Sequence, residues 1–455
     1  MKIKQLNIEG FRGIVNKKIT FPNDNVAILI GKNGSGKSSV LDLLTLHLVM
    51  LINNSLILGK IKNFENKSFN IDISISEHKS YNNNADEIKT RLLFQESKIE
   101  KSFGFDISRK DEISHKRVIP ESLVVLEKIA QLTEKTNIPV ITNHYISDSK
   151  FASVDMTSFR EEPTNFQLFA TDRAFETELD SFNDFKKWFE EGENFENEQK
   201  IAKKDFNWVN KDLDAIRNSI EYFLSYLPET RFKNLRINRI SKEIDSSLFR
   251  NSRIKKQFII TKNGDDLLVD QLSDGEKKLL MLVTDLARRL TIANPSRENP
   301  LEGEGIVLID EVELHLHPQW QRIVVPALSG TFPNIQFIIS SHSPFVAQSV
   351  GLDNLLVLDS DPNQIEVKPS ADDSEHSYQS IIKEVFGIDS FFSVEVENDL
   401  EQFRNFRTKI LQGDKYDKSA FDKLVEKLTG YGYEIEAIIA RELRQIERLT
   451  KEKTV

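Results

Sequence analysis

The chain has 455 residues, 39% of them hydrophobic and 29% charged, with 61 Lys and Arg against 71 Asp and Glu. That length exceeds what one simple core usually holds, and the composition is that of a globular protein, which excludes a disordered chain. The formal charge of −10 excludes a surface that is basic throughout, and zero cysteines exclude disulfides, cysteine-ligated zinc and a thiol nucleophile.

Strand patterns open the chain at 2–8, 14–21 and 26–30. The last is a continuous apolar run that leads into Gly31-Lys32-Asn33-Gly34-Ser35-Gly36-Lys37-Ser38, a match to G-x-x-x-x-G-K-[ST]. Glycines at these places let successive N–H groups converge on phosphate oxygens, while the next helix aims its positive end at the same anion. The pattern assigns residues 31–38, with the adjoining Ser39, to nucleotide binding. Lys37 would reach the β- and γ-phosphates and the Ser38 hydroxyl would ligate Mg²⁺. An ordinary glycine-rich turn is the alternative, but a strand before it and an apolar helix after it (Val40, Leu41, Leu43, Leu44, Leu46, Leu48) favour the phosphate loop. That helix also carries Asp42, Thr45 and His47 and is too short to span a bilayer. No cationic leader precedes the first strand, so a cytoplasmic protein is expected.

Further strands are expected at 68–76, where Phe69, Ile71, Ile73 and Ile75 alternate with polar residues, and at 90–95, with a loop at 82–86 between them. From 101 to 255 the pattern predicts a mainly helical insertion. Phe182, Phe185 and Phe189 fall at helical spacing, and Val209, Leu213, Ile216, Ile220, Phe223 and Leu227 follow a four-three rhythm that Pro228 stops. That seam lasts under three heptads, which suits a packed helix and excludes a long coiled-coil arm. The acids Glu190, Glu191, Glu193, Glu196 and Glu198 read as a solvated face. Between Arg231 and Lys256 the cations Arg231, Lys233, Arg236, Arg239, Lys242, Arg250, Arg253, Lys255 and Lys256 crowd together. They would either contact nucleic-acid phosphates or form the outer face of strands returning to the main body.

A strand at 257–262, a turn at 263–266 and a return strand at 267–270 follow. The apolar runs at 306–309, 335–340 and 355–358 suit a parallel sheet buried on both faces, and residues beyond 366 read as helical. The expected organisation is therefore 1–100 and 256–365 as two parts of one α/β body, 101–255 as the insertion and 366–455 as a helical C-terminal region.

Ile306 to Ile309 delivers Asp310 and Glu311 at its carboxyl end, where ligands sit in open α/β sheets. Asp310 would hold Mg²⁺, and Glu311 would polarise the water attacking the γ-phosphate. Ser273 and Glu276 fit a capping box ahead of Leu279, Leu280, Leu282 and Val283, and a capped helix start is also an anion site. His315 and His317 lack the partners of a zinc site. Asp359-Ser360-Asp361 reads as a strand-end loop.

Leu272-Ser273-Asp274-Gly275-Glu276 resembles the LSGGE-type signature of ABC ATPases, with Asp274 where the family has its first glycine. In that class the signature binds the γ-phosphate of a nucleotide held by another subunit. Glu313 to Pro318 resembles a D-loop, and Ser340 to Pro344 a switch-histidine segment in which His342 would contact the γ-phosphate or the attacking water. With Phe11-Arg12-Gly13 after the first strand, the motif order resembles the RecF/SMC/OLD branch, where Arg12 would approach the nucleotide. The runs 308–322, 332–337 and 341–344 narrow the resemblance to stand-alone ATPases of the Septu (PtuA) and retron-associated anti-phage systems.

The resemblance implies an α/β fold: an ABC-type P-loop ATPase head, mixed sheet with parallel core, interrupted by the insertion. It implies ATP hydrolysis with Mg²⁺, Lys37, Glu311 and His342 being catalytic. It also implies a homo-dimer or higher oligomer, and control of a separate PtuB-like HNH nuclease, since no nuclease motif is recognised in this chain. A RecF-like repair ATPase clamping DNA through 231–256, and a nucleotide-sensing scaffold with negligible turnover, are the alternatives. No Q-loop glutamine is assigned.

Overall fold

Apolar runs and period-two alternation in the first and last thirds of the chain build two sheets around one helix. The computed structural model describes residues 2–60, 74–75, 87–96, 99–108, 116–118, 140–144, 152–153, 178–228, 231–242, 253–359, 365–367, 382–383, 386 and 392–452. The chain opens with β1 (Lys2–Phe11), β2 (Ile14–Thr20), β3 (Val26–Ile30) and α1 (Lys37–Lys60). Then come β4 (Ser74–Ile75), β5 (Glu87–Glu96), β6 (Ile99–Ser108), β7 (Lys116–Val118), β8 (Val140–His144) and β9 (Ala152–Ser153). Helices α2 (Glu178–Lys203) and α3 (Lys211–Leu224) precede β10 (Phe232–Lys242), β11 (Arg253–Lys262), β12 (Asp265–Leu268) and α4 (Asp274–Ala293). The main body continues with β13 (Gly305–Ile309), α5 (Pro318–Gln321), α6 (Val324–Thr331), β14 (Ile335–Ser341), α7 (Pro344–Gln348), β15 (Leu355–Val357) and β16 (Glu366–Val367). Last are α8 (Val394–Gln412), α9 (Lys418–Thr429) and α10 (Tyr433–Glu452).

The central sheet has the order β15-β3-β14-β13-β8 and is parallel throughout. Its inner strands β3, β13 and β14 are buried along their whole length, which is why they read as apolar runs instead of alternating ones, with the buried Gln336 and Ser340 of β14 held by hydrogen bonds. Register decides what emerges at the carboxyl edge. Ile30 lies opposite Ser341, and Ile309 opposite Ile339. The segments after β3, β14 and β13 therefore leave the sheet side by side.

A second sheet, β16-β2-β1-β5-β6-β7, is antiparallel except for the β16–β2 pair. One core cluster joins Leu6, Ile8 and Phe11 of β1, Leu92 of β5, Leu41, Leu44 and Leu48 of α1, and Leu308 and Ile338 of the parallel sheet. Residues 40–48 of α1 are thus buried against both sheets, each enclosed Leu contributing about 1.5–3 kcal/mol.

The stretch 101–255 departs from its helical expectation. β6 extends the antiparallel sheet, and β8 forms the edge of the parallel one, pairing Val140 with Gly305 and His144 with Ile309. The alternation of Phe103, Phe105 and Ile107 with polar residues carried the strand signal for β6, whereas the short run at 140–144 carried almost none. Helices occupy 178–224 as expected, and both α2 and α3 pack on α4. Leu213, Ile216, Ile220 and Phe223 face inward on α3, while Val209 lies before the helix and is exposed. The readings at 68–73, 82–86 and Arg250 lie outside the described residues.

The acidic run is only in part the solvated face expected, since Glu191 and Glu198 are exposed. Glu193 and Glu196 are buried, and Glu193 receives Arg217 at 3.2 Å and Arg239 at 3.4 Å. Glu196 receives Arg217 at 3.1 Å, and Glu190 pairs with Lys256. Acids at three-residue spacing share one helix face, and the cations of β10 and β11 cover it. Arg239 and Lys256 of the basic stretch are therefore paired with α2, while Arg231 and Lys233 remain exposed.

The chain divides into two units, 1–381 and 382–455. In the second, α8, α9 and α10 enclose Phe403, Phe421, Leu424, Leu428, Ile439 and Ile446. Its surface carries Lys427 between Asp399 at 2.7 Å and Glu395 at 3.1 Å. Among the described residues, no helix is long and apolar enough to cross a membrane.

Candidate nucleotide-binding and hydrolysis site

Residues 31–36 turn from β3 into α1 through left-handed backbone, with φ of 80° at Gly34 and 97° at Gly36. Gly31 admits no side chain, because a Cβ there would lie 2.2 Å from the Leu358 carbonyl oxygen. Lys32, Asn33 and Gly34 are exposed, whereas the Ser35 hydroxyl is buried in the loop with no hydrogen-bond partner among the described residues. Lys37 folds back so that its Nζ donates to the carbonyls of Gly31 at 2.8 Å and Lys32 at 3.1 Å. Burial holds this ammonium below the ordinary lysine value, against the upward pull of Asp310, Glu313 and Glu311. A curled loop, an orphaned hydroxyl and a half-desolvated lysine fit an anion of several charges. Ser39 follows Ser38 in the first turn of α1.

Asp310 leaves β13 next to this loop. Ser38 Oγ donates to its Oδ2 at 3.3 Å, and Ser340 Oγ donates to its Oδ1. Hydroxyl and carboxylate at this spacing form a hard oxygen set suited to Mg²⁺. Ser340 also accepts the Glu311 N–H at 3.0 Å, while Lys278 Nζ donates to the Glu311 carbonyl at 3.1 Å. These two contacts hold Glu311 at φ 50°, a conformation that costs a non-glycine residue about 1–3 kcal/mol and is kept where surroundings over-determine it.

Glu313 ties the next segment across the site. Its Oε1 accepts the His342 N–H at 2.6 Å, and its Oε2 is buried without a partner among the described residues. Ser343 caps α7 and donates to Gln321 Oε1 at 2.6 Å, so the segments following β13 and β14 are joined twice. His317 serves as the N-cap of α5, its Nδ1 accepting from the Gln319 N–H at 3.4 Å.

Ser273 is the N-cap of α4 in a complete capping box with Glu276, and Ser273 and Asp274 are exposed. Gly275 is required by close approach: a Cβ would meet the His315 carbonyl oxygen at 2.6 Å. The signature segment, with Leu272 buried beneath it, therefore leans on the segment that follows Glu311. Arg12, at φ 50°, pairs with Asp42 of α1 at 2.5 Å, which sets its guanidinium beside the phosphate-loop helix. Ser340, Glu313 and Lys278 were not singled out in the sequence for these contacts. A serine one residue before the end of a buried strand has no motif of its own, and only its position two residues before His342 marks it.

A parallel sheet carrying a glycine-rich loop after one strand and an acidic pair after another is the construction of a P-loop nucleoside triphosphatase. The family model described as "AAA domain, putative AbiEii toxin, Type IV TA system" matches residues 26–347, and the chain belongs to that family. It is an ATPase of this class. A curated relative, "Retron Vc95 probable ATPase" of Vibrio cholerae serotype O1 biovar El Tor, is 30% identical over 79% of this chain and 73% of its own length. "Septu protein PtuA" of Bacillus thuringiensis is 23% identical over 85% of this chain and 84% of its own. The solved SMC head domain of Thermotoga maritima overlaps 82% of this chain and 100% of its own at 16% identity and a TM-score of 0.39, too loosely to add to the fold described above.

Proposed function

We propose that the chain binds ATP in the loop 31–39, hydrolyses it with Glu311 as general base, and engages a second copy of itself around the nucleotide. The observation that carries this reading is the meeting of Ser38, Asp310 and Ser340 over neighbouring parallel strand ends. Lys37 exchanges the carbonyls of Gly31 and Lys32 for phosphate oxygens. Ser38 and Asp310 would hold Mg²⁺, which would supply positive charge against the phosphates. Glu311 takes a proton from the attacking water, and His342, held through its backbone by Glu313, lines the same space.

Ser273 and the N–H groups at the head of α4 form an exposed anion site that belongs, in this reading, to a nucleotide on the other copy. Occupancy then becomes quaternary structure. The head is made of 1–100 and 256–365 with β6, β7 and β8 added to its sheets from within 101–255, α2 and α3 belong to the insertion, and 366–455 is the C-terminal region. Relatives named for Septu and retron systems support placing the chain among such ATPases; the role proposed for it is cytoplasmic anti-phage defence, in which closure controls an HNH nuclease carried by another chain. A DNA clamp through Arg231 to Lys256 has less support, because Arg236, Arg239 and Lys256 are engaged by Asp266, Glu193 and Glu190.

Co-expression with an HNH-type protein encoded beside it tests the reading. Nucleotide-dependent co-purification and nuclease activity that changes with Glu311→Gln are expected. A homo-oligomer that retains DNA at high salt and ignores the nuclease would overturn the defence assignment.

A further inference from the structure

The buried acid of the signature segment has a lysine from outside it. Glu276 is 4% exposed, and its Oε2 accepts both the Ser273 N–H and the Ser273 Oγ–H at 2.9 Å. Its other oxygen accepts Lys262 Nζ at 2.6 Å. Burial pushes the Glu276 carboxyl up, but the hydrogen bonds from Lys262 and Ser273 outweigh it and leave it below the ordinary glutamate value. Asp274, on the exposed side, has Lys277 at 3.8 Å. Each carboxylate at the head of α4 is thus matched by a cation.

The pairing matters because of what that helix start is asked to do. An unscreened carboxylate in the first turn offsets the positive potential of the helix start and repels phosphate. A carboxylate whose only donor were Ser273 would also grip the hydroxyl that must turn outward to a phosphate oxygen. Lys262 takes up half of Glu276 and relieves both effects.

Lys262 is the last residue of β11, the strand whose Lys256 and whose β10 neighbour Arg239 are held by Glu190 and Glu193 of α2. We propose that Lys262 is a positioning residue for the signature serine: it screens Glu276 so that the head of α4 accepts a γ-phosphate, and it fixes β11 to that helix start. The inference rests on the reading that Ser273 meets nucleotide held by a second copy.

The test uses the full chain with Mg²⁺ and a non-hydrolysable ATP analogue, reading self-association by sedimentation and loop occupancy with a fluorescent nucleotide. Lys262→Met should weaken nucleotide-dependent association by about two- to thirtyfold, the scale of one charge at a helix N-terminus, with nucleotide affinity unchanged at protein concentrations too low for association. Lys262→Arg should keep association, and adding Glu276→Gln to Lys262→Met should restore it by removing the charge while keeping a capping acceptor. Association of Lys262→Met equal to the parent, or a loss that Glu276→Gln fails to restore, would overturn the role of Lys262 alone. A parent chain that never associates with nucleotide, or a Ser273→Ala chain that associates normally, would overturn the engagement reading and this inference with it.

Discussion

Ser38 and Asp310 lie 272 positions apart in the chain and meet at 3.3 Å, the hydroxyl donating to the carboxylate. The parallel register of β3, β14 and β13 brings them together, since β3 ends level with Ser341 and β13 ends level with Ile339, which puts Asp310 beside Ser340. Asp310→Asn keeps the shape and removes the charge. It should raise the Mg²⁺ concentration needed for half-maximal turnover by about tenfold or more, a metal titration with unchanged midpoint being the contrary result.

Glu311→Gln should separate binding from chemistry. Turnover is expected to fall by about 10²–10⁴-fold, the range for a removed general base, while nucleotide affinity persists and nucleotide-bound assemblies accumulate. Phosphate release at the parent rate would assign the base elsewhere.

Lys37→Ala removes an ammonium already held on the loop carbonyls. Loss of a charged hydrogen bond predicts affinity for ATP lower by about 10–100-fold in equilibrium binding, and equal affinity would contradict the phosphate-loop assignment.

Much of this geometry is legible in the sequence because glycine spacing and strand-end acids are local signals. The distribution of charge is not. Glu193 and Arg239 lie far apart in the chain and read as two patches, yet fold into one ion pair joining the buried Glu193 of α2 to the half-buried Arg239 of β10. Likewise Lys262 looks like a strand-end cation until β11 brings it to Glu276. Long-range ion pairs follow topology, which residue spacing within a segment does not encode. Glu193→Ala should accordingly cost about 1–2 kcal/mol of stability in denaturant unfolding by removing one partner each from the partly exposed Arg217 and Arg239, which keep Glu196 and Asn194. Loss of nucleotide affinity without loss of stability would point to a different role.

His47 sits fully buried on α1, its Nδ1 donating to the Leu43 carbonyl at 2.8 Å, and burial pushes its pKa down to about 4. The unfolded imidazole, near 6.5, binds its proton first. Stability supplied by the neutral ring is therefore whole above about pH 6.5 and is lost as pH falls toward about 4, by up to about 3 kcal/mol. His47→Gln should flatten unfolding free energy against pH over that window. A parent curve without slope there would contradict the buried neutral histidine.

Engagement of two copies is tested most directly by mixing two inactive variants. Lys37→Ala lacks the loop lysine and Ser273→Ala lacks the signature hydroxyl, so each alone should hydrolyse little ATP. A mixed pair joins the intact Lys37 of one chain to the intact Ser273 of the other, and an equal mixture should recover about a quarter of parent turnover, from half the pairs each holding one complete site. A mixture no more active than its components would contradict a site shared between copies.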